Sequence, residues 1–193
     1  GYKTQEIEYK EDAPSFEQFL TRSESLTEHL EFQINLLNIS ETLEDAAICI
    51  VGNLDENGRL NAANEEIAEM CGCSPETVEK ARQTVMKLEP VGCGARDVSE
   101  CLVAQLEQNG EGESLAVDLV KNHLTDLQAH RLPHLVKETG LEISVLKEEI
   151  EKIKKLDPYP GRRYSSEEPV FVAPEVYIEK IDDDYIIYFT DDG

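Results

Sequence analysis

One segment of this chain occurs twice, and this repeat constrains the fold more than any other feature. The first copy runs from Ile67 to Gly94, and the second follows at a constant offset of 68 positions without a gap. Gly72 matches Gly140, and Glu89-Pro90 matches Asp157-Pro158. The matching apolar pairs are Ile67 and Leu135, Val78 and Leu146, Val85 and Ile153, and Leu88 and Leu156. Self-similarity at a fixed offset indicates one supersecondary unit used twice.

Each copy predicts a short helix, a tight turn at its glycine and a longer helix. Pro90 and Pro158 are expected to stop the longer helices, because proline lacks the N–H and clashes with the preceding turn. Ser74 is a suitable N-cap for the first longer helix, and Pro75 fits its first helical position. The unit therefore looks like a helix-turn-helix.

A DNA-binding interpretation would place helix 75–88 in a major groove, whereas two packed helices are also common in any helical domain. Between Asn64 and Glu89 the chain has three basic and six acidic side chains. Lys and Arg supply most of the affinity for phosphates, so this charge favours the structural interpretation. The second copy is about neutral, but its longer helix lacks a row of Asn or Arg suited to base edges.

Helices are also expected before the repeat. Ser25 and Glu28 form a capping-box signature, and an apolar stripe at helical spacing follows them. A second helix is expected to begin near Thr42 with an apolar face that includes two alanines. The run Asp55 to Gly58 ends this helix, because Asn-Gly is a strong turn signal.

Two further helices follow the first copy of the repeat. Asp97 and Glu100 form another capping box, which opens a helix over 98–108. A helix over 114–128 carries the next apolar stripe. The glycine-rich run from Asn109 to Gly112 lies between these helices and is the best candidate for a subdomain boundary.

The predicted fold is mainly α, with seven to eight short helices in two subdomains over 25–110 and 113–160. Residues 1–24 are expected to form an acidic linker or arm. After Pro174 the apolar period changes from 3.6 to 2, which predicts a β-hairpin within a linker and hairpin region over 161–193. The chain begins at Gly1, and we expect it to be a fragment of a longer protein.

Charge narrows the range of partners for such a helical chain. Its 193 residues have a formal net charge of −23, and 40% of them are hydrophobic, which supports a real core. A chain this acidic is repelled by bare nucleic acid and by anionic membranes, so basic protein surfaces are the expected partners. Simple solubility is the other interpretation of the charge. The sequence has no run of eighteen apolar residues that would predict a membrane span.

The sequence contains no recognisable catalytic or ligand-binding constellation. Its five cysteines lack paired CxxC spacing, which indicates a reducing cytoplasm rather than disulfides. Cys71, Cys73 and Cys93 would need a fourth ligand to hold zinc. The glycine loop after Pro90 lacks the Lys-Ser/Thr of a phosphate-binding P-loop. We therefore expect no enzyme, no cofactor, no metal and no small-molecule substrate.

Several motifs carry a family resemblance. They are Ser25-Leu26-Thr27-Glu28-His29-Leu30, Leu54-Asp55-Glu56-Asn57-Gly58-Arg59-Leu60, Leu88-Glu89-Pro90-Val91-Gly92-Cys93-Gly94-Ala95-Arg96-Asp97 with Cys101-Leu102 and Gln105-Leu106 after it, Leu156-Asp157-Pro158-Tyr159-Pro160-Gly161, and Pro174-Glu175-Val176. Together they resemble the sigma-54 type of bacterial RNA polymerase sigma factor over about Ser25 to Asp192. The run from Pro90 to Asp97 is long and irregular, so it is the most specific of these motifs.

The resemblance implies a central core-binding region that grips the β and β′ subunits of core RNA polymerase. In that family the whole factor recognises promoters with paired GG and GC elements, and it holds the holoenzyme closed until an ATP-hydrolysing activator remodels it. The activator-contacting region and the C-terminal DNA-binding part are expected to be missing from this chain. A helix-turn-helix DNA-binding transcriptional regulator and a generic helical adaptor remain as alternatives.

The loop that follows the first copy of the repeat is the candidate partner-binding site. Its residues are Glu89, Pro90, Val91, Gly92, Gly94, Arg96 and Asp97. One interpretation is purely structural: the glycines permit the turn, and Arg96 caps or forms a salt bridge locally. The other interpretation is a direct contact with polymerase through Arg96.

Overall fold

The computed structural model of the chain describes residues 24–164, and this part contains nine α-helices and a terminal 3₁₀ helix. The α-helices are α1 (Leu26–Asn35), α2 (Glu41–Gly52), α3 (Asn64–Cys71), α4 (Pro75–Met86), α5 (Val98–Gln108), α6 (Leu115–Asn122), α7 (Leu124–Gln128), α8 (Leu132–Thr139) and α9 (Ile143–Lys154). The 3₁₀ helix spans Pro160–Tyr164. The predicted mainly α fold is thus confirmed.

A membrane-spanning helix is not found between residues 24 and 164, where every helix is too short or too polar to cross a bilayer. The predicted arm over 1–24, apart from Glu24, lies outside the described residues. So does the predicted linker and β-hairpin beyond Tyr164.

The two copies of the repeat form the same pair of helices. The bounds of α3 and α8 differ by 68 positions, and so do those of α4 and α9. Gly72 and Gly140 end the short helices in the left-handed region, with φ of 69° and 74°. The matched residues Ile67 and Leu135 are both fully covered, at 0% and 1% exposure. The repeat is therefore one structural unit used twice.

The longer helices of the repeat end earlier than predicted, before the prolines are reached. α4 ends at Met86, four residues before Pro90, and α9 ends at Lys154, four residues before Pro158. In the first copy the amide of Gly92 donates to the carbonyl of Met86 at 2.9 Å. The carbonyl of Met86, four residues before Pro90, is thus bonded by the loop and not by a continuing helix.

The single helix predicted over 114–128 is wrong, since the helix breaks at His123 into α6 and α7. Because of this break, the described residues contain nine α-helices, whereas seven to eight were predicted. Leu124 would bond the carbonyl of Val120 in a continuous helix, but that carbonyl accepts the hydroxyl of Ser99 at 3.2 Å. A contact from α5 thus competes with the helical hydrogen bond.

The buried apolar side chains form two main cores. The first lies among α1 to α4 and includes Leu30, Ile50 and Ile67. The second lies among α5 to α9 and includes Leu102 and Leu146. α5 therefore supplies the second core, although the predicted boundary groups it with the first helices. A small third cluster of Met86, Ala95 and Cys101 lies between the two.

Candidate functional site

The predicted site residues lie in one loop, residues 89–97, which leads from α4 to α5. Gly92 is its tightest point, with φ of 103°. A Cβ atom on Gly92 would lie 2.6 Å from the sulfur of Cys101 and 3.2 Å from the side-chain nitrogen of Gln105. Only glycine meets both demands, the positive φ and the close approach of α5.

The start of this loop is held against α1. The Gln33 side chain accepts a hydrogen bond from the amide of Glu89 at 3.0 Å and donates to its carbonyl at 2.6 Å. The peptide bond between Glu89 and Pro90 is cis. Pro90 and Val91 are buried, and the Val91 carbonyl accepts from the Gln105 side chain at 3.1 Å.

The end of the loop is held by the segment between α2 and α3. The amide of Gly94 donates to the carbonyl of Gly58 at 2.8 Å. Arg96 donates to the carbonyls of Leu60 and Ala62 at 2.9 and 2.6 Å, and to the side-chain oxygen of Asn64 at 2.6 Å. The guanidinium therefore joins the loop to a segment 32 to 36 positions earlier in the chain. A contact between Arg96 and polymerase stays a prediction.

Asp97 caps α5, since its carboxylate accepts from the amide of Glu100 at 2.8 Å. The return bond of the predicted capping box is replaced by other contacts. The Glu100 carboxylate instead accepts from the amide of Arg96 at 2.7 Å and from Arg82 at 2.8 Å. A buried cation therefore recruits Glu100 away from the cap.

Arg82 is the central charge of this junction, and sequence reasoning missed it. Its side chain lies on α4 and is only 6% exposed. It donates to Glu79 at 3.0 Å, to Glu100 at 2.8 Å and to the carbonyl of Gly94 at 2.9 Å. One signal was present: Arg82 matches Ile150 in the second copy of the repeat, so a charge occupies a core position.

The ion pairs around Arg82 shift the pKa of both carboxylates. Burial opposes the charged form of Glu79, but hydrogen bonds from Arg82, Gln83 and Asn64 outweigh it and lower the pKa of Glu79 from 4.5 to about 2. Burial likewise opposes the charged form of Glu100, yet Arg82 lowers its pKa below the ordinary value. Both groups are therefore ionised at neutral pH. Glu79 holds the Arg82 guanidinium in place on α4, and Glu100 joins that guanidinium to the amide of Arg96 in the loop.

The end of the second repeat copy packs against the same junction. The Gln105 side chain donates to the carbonyl of Asp157 at 2.7 Å and accepts from its amide at 2.8 Å. Arg59 is buried and donates to the carbonyl of Pro158 at 2.6 Å. The amide of Gly161 donates to the carbonyl of Asn57 at 3.1 Å. The contacts of Arg59 and Gly161 join the two cores, and Gln105 bridges the 89–97 loop and the end of the second repeat copy.

The thiols of the junction are not activated for chemistry. Burial raises the pKa of Cys93 to about 12 and that of Cys101 to about 11. Both are therefore protonated at neutral pH, which makes them poor nucleophiles. Between Glu24 and Tyr164, no group of three His, Cys, Asp or Glu side chains could hold a metal ion.

Comparison with known proteins decides the family. A family model described as the sigma-54 factor, core binding domain, matches residues 15–193. The chain belongs to the sigma-54 core-binding-domain family. The family model therefore matches most of this sigma-54 chain, including the repeat and the 89–97 loop.

Several curated proteins are similar to this sigma-54 domain. An RNA polymerase sigma-54 factor of Acinetobacter guillouiae is 34% identical, over 87% of this chain and 38% of its own length. The corresponding factor of Escherichia coli K12 is 30% identical, over 89% of this chain and 37% of its own length. The chain thus spans less than two fifths of these relatives. A solved structure of the core binding domain of sigma54 is 30% identical and covers 76% of this chain and 99% of its own, with a TM-score of 0.48.

In this sigma-54 domain, most of the predicted site residues are buried or half-buried. Pro90, Val91, Gly92 and Gly94 are buried, and Arg96 is half-buried. Glu89 and Asp97 are the exposed residues of the predicted set. The loop can therefore set the geometry of the domain directly, while only its two carboxylates face outward.

Proposed function

We propose that this sigma-54 core-binding domain binds core RNA polymerase, with the β and β′ subunits as its partners. The observation that carries the proposal is the family match over residues 15–193. The formal charge of −23 suits a partner with a basic surface, because opposite charge speeds encounter. No chemistry is required of the domain itself.

The junction supports this role by making the two cores one binding unit. Arg59, between α2 and α3, donates to the carbonyl of Pro158, and Gln105 on α5 contacts both the carbonyl of Val91 and the backbone of Asp157. Gly58 and Gly161 approach so closely that a Cβ atom on Gly161 would lie 2.5 Å from the amide nitrogen of Gly58. A domain whose halves are already fixed loses less conformational freedom when it binds a large partner.

The alternative of direct DNA binding by the repeat units gains no support from the side chains. In the first unit Arg82 is buried and paired with two carboxylates, so it is not available for phosphate. In the second unit Lys152 contacts Glu149 at 3.1 Å, and Lys154 contacts Glu151 at 3.2 Å. Pairing of this kind lowers the counterion release on which affinity for DNA depends.

The further family properties remain part of the proposal. They are promoter selection at GG and GC elements, dependence on an ATP-hydrolysing activator, and a cytoplasmic location. We assign neither promoter reading nor activator contact to residues 24–164. The domain would supply the attachment to polymerase, and the rest of such a factor would direct the polymerase.

The proposal is tested by retention of purified core RNA polymerase on the immobilised chain at moderate salt. Circular dichroism of the same preparation shows whether the chain is helical. Retention of polymerase, with no binding of duplex DNA at the same salt, is the expected result. A folded chain that retains no polymerase rejects the proposal, and a folded chain that binds DNA with a steep salt dependence supports the regulator alternative.

A further inference from the structure

The outer face of α1 exposes two large apolar side chains. Phe32 is 62% exposed and Leu36 is 71% exposed. They are four positions apart, so they lie on the same side of the helix, one turn from each other. The opposite side of α1 is buried, with Leu30 and Ile34 at 0% exposure. Exposed apolar side chains grouped in this way, rather than scattered singly, are typical of a protein interaction surface.

This face is continuous with the junction between the two cores. Gln33, next to Phe32, holds the backbone of Glu89 through two hydrogen bonds. His29, one turn before Phe32, stacks its ring on that of Tyr164 with centroids 4.9 Å apart. The face therefore joins α1 to the 89–97 loop and to the 3₁₀ helix.

The charged residues beside the apolar centre of the face are mainly acidic. Glu24, Glu28 and Glu89 are exposed, and the Arg163 guanidinium lies near Tyr164 together with Glu24 and Glu89. Glu24 also contacts His29 at 3.3 Å, which places it on the same side of α1. A partner that covers this face must therefore offer an apolar element framed by Lys or Arg, since like charge opposite these carboxylates would be repelled.

We propose that the face formed by Phe32, Leu36 and Glu89 is the surface through which this domain docks on core RNA polymerase, at an apolar element flanked by basic side chains. This inference rests on the proposed function and names the surface that performs it. It differs from the prediction of a contact through Arg96, whose guanidinium is held inside the fold. Phe32 and Leu36 supply the buried contact area, and Glu89 supplies charge complementarity.

The test is a fluorescence-anisotropy titration of the labelled full chain with core polymerase. The variant Phe32→Gln/Leu36→Gln is expected to bind about a hundredfold more weakly, because burial of each side chain contributes on the order of a factor of ten. The control is Met70→Gln, another exposed apolar residue at 58%, whose sulfur lies 3.8 Å from that of Cys49 on α2. This control is expected to bind within about twofold of the wild type.

A second pair of variants tests the charge. Glu89→Gln is expected to slow association and to reduce its dependence on salt, whereas Glu148→Gln on the exposed side of α9 leaves both nearly unchanged. Each variant removes one exposed carboxylate, so the net charge of the two chains is the same. An equal effect of the two substitutions on the association rate would contradict a local role for Glu89.

Failure of the inference and failure of the proposed function give different results. If the wild-type chain does not bind polymerase, the proposed function itself is wrong. If the wild type and Phe32→Gln/Leu36→Gln bind equally well, only the docking surface is wrong. Two measurements on the free chain test whether something other than polymerase covers this face. If sedimentation velocity shows self-association that the double substitution abolishes, the face binds a second copy of the chain. If hydrogen exchange in residues 15–20 becomes faster after the double substitution, the face binds the chain's own N-terminal segment, and either result overturns the proposal.

Discussion

Replacement of Arg82 by Met is expected to destabilise the domain by about 3 kcal/mol, because it leaves two carboxylates and a carbonyl without their buried partner. Removal of one member of a buried ion pair costs roughly 3–5 kcal/mol in other proteins. The side chains of Glu79 and Glu100 are 42% and 31% exposed, so water can partly replace the guanidinium, and the lower figure applies. Met is chosen because it preserves side-chain volume and fits a position that is apolar in the second repeat copy.

The assay is urea unfolding followed by circular dichroism. With a slope of roughly 2 kcal/mol per molar urea, the midpoint of Arg82→Met should fall by about 1.5 M. Arg82→Lys keeps the charge but loses the planar guanidinium, so its urea midpoint should lie between those of the wild type and Arg82→Met. Lys80→Met, an exposed substitution on the same helix, is the control and should change the free energy of unfolding by less than about 0.5 kcal/mol.

The dependence on pH gives a second check on the same residue. The pKa of Glu79 is lowered from 4.5 to about 2, so its stabilising contribution is complete above about pH 4.5 and is lost as the pH falls towards 2. In Arg82→Met the part of this contribution that Arg82 supplies, which is the largest among the three hydrogen-bonding partners, is absent at every pH. The difference in unfolding free energy between wild type and variant should therefore narrow from pH 6 to pH 3. A difference below about 1 kcal/mol at pH 7, or one that does not change with pH, would refute the reasoning.

The remaining predictions concern the loop and the link between the cores. Gly92→Ala should lower the unfolding free energy by more than about 2 kcal/mol, because a Cβ atom there meets the Cys101 sulfur at 2.6 Å with φ positive. A Cβ atom on Gly52 would have no neighbour within 4 Å, so Gly52→Ala should leave the unfolding free energy unchanged or raise it. Equal losses of unfolding free energy in the two variants, measured by urea unfolding, would contradict the steric explanation. Gln105→Met should cost about 1–3 kcal/mol and speed amide exchange at Asp157, whose N–H loses its acceptor. Unchanged exchange at that amide would show that the link does not depend on Gln105.

The parts of the fold that depend on local pattern could be predicted from the sequence. The matched bounds of the repeat helices follow from glycines and apolar residues at a constant spacing. The capping box of Ser25 and Glu28 is confirmed, with hydrogen bonds of 3.1 and 3.0 Å. Ser74 and Pro75 open α4 as predicted. Each of these features depends on residues within a few positions of one another.

The features that sequence reasoning missed depend on contacts between distant residues. At the break at His123, the carbonyl of Val120 accepts the hydroxyl of Ser99, which lies on another helix. Glu100 leaves its expected cap because Arg82, eighteen positions away, is buried beside it. The contact between Arg162 and Asn57 joins residues 105 positions apart. Periodicity reports which face of a helix is apolar, but it does not report which loops meet.

The candidate site shows the same division. The glycines of the 89–97 loop could be recognised as turn-forming, but the acceptors of Arg96 lie 32 to 36 positions earlier in the chain and could not be read from the local pattern. The role of α1 beside this loop could not be read from the pattern. Phe32 and Leu36 widen the apolar stripe, which predicts that the helix contacts neighbours on two sides. The structure instead leaves these two side chains exposed.

The central claim is that this folded helical domain attaches to core RNA polymerase as one preassembled unit. The most direct measurement is the mass of the complex by light scattering during a titration of core polymerase with the chain. The account predicts saturation at one chain per polymerase, with the double substitution of Phe32 and Leu36 shifting the midpoint to higher concentration. A chain that remains helical in the mixture, yet adds no mass to polymerase at any ratio, would contradict it.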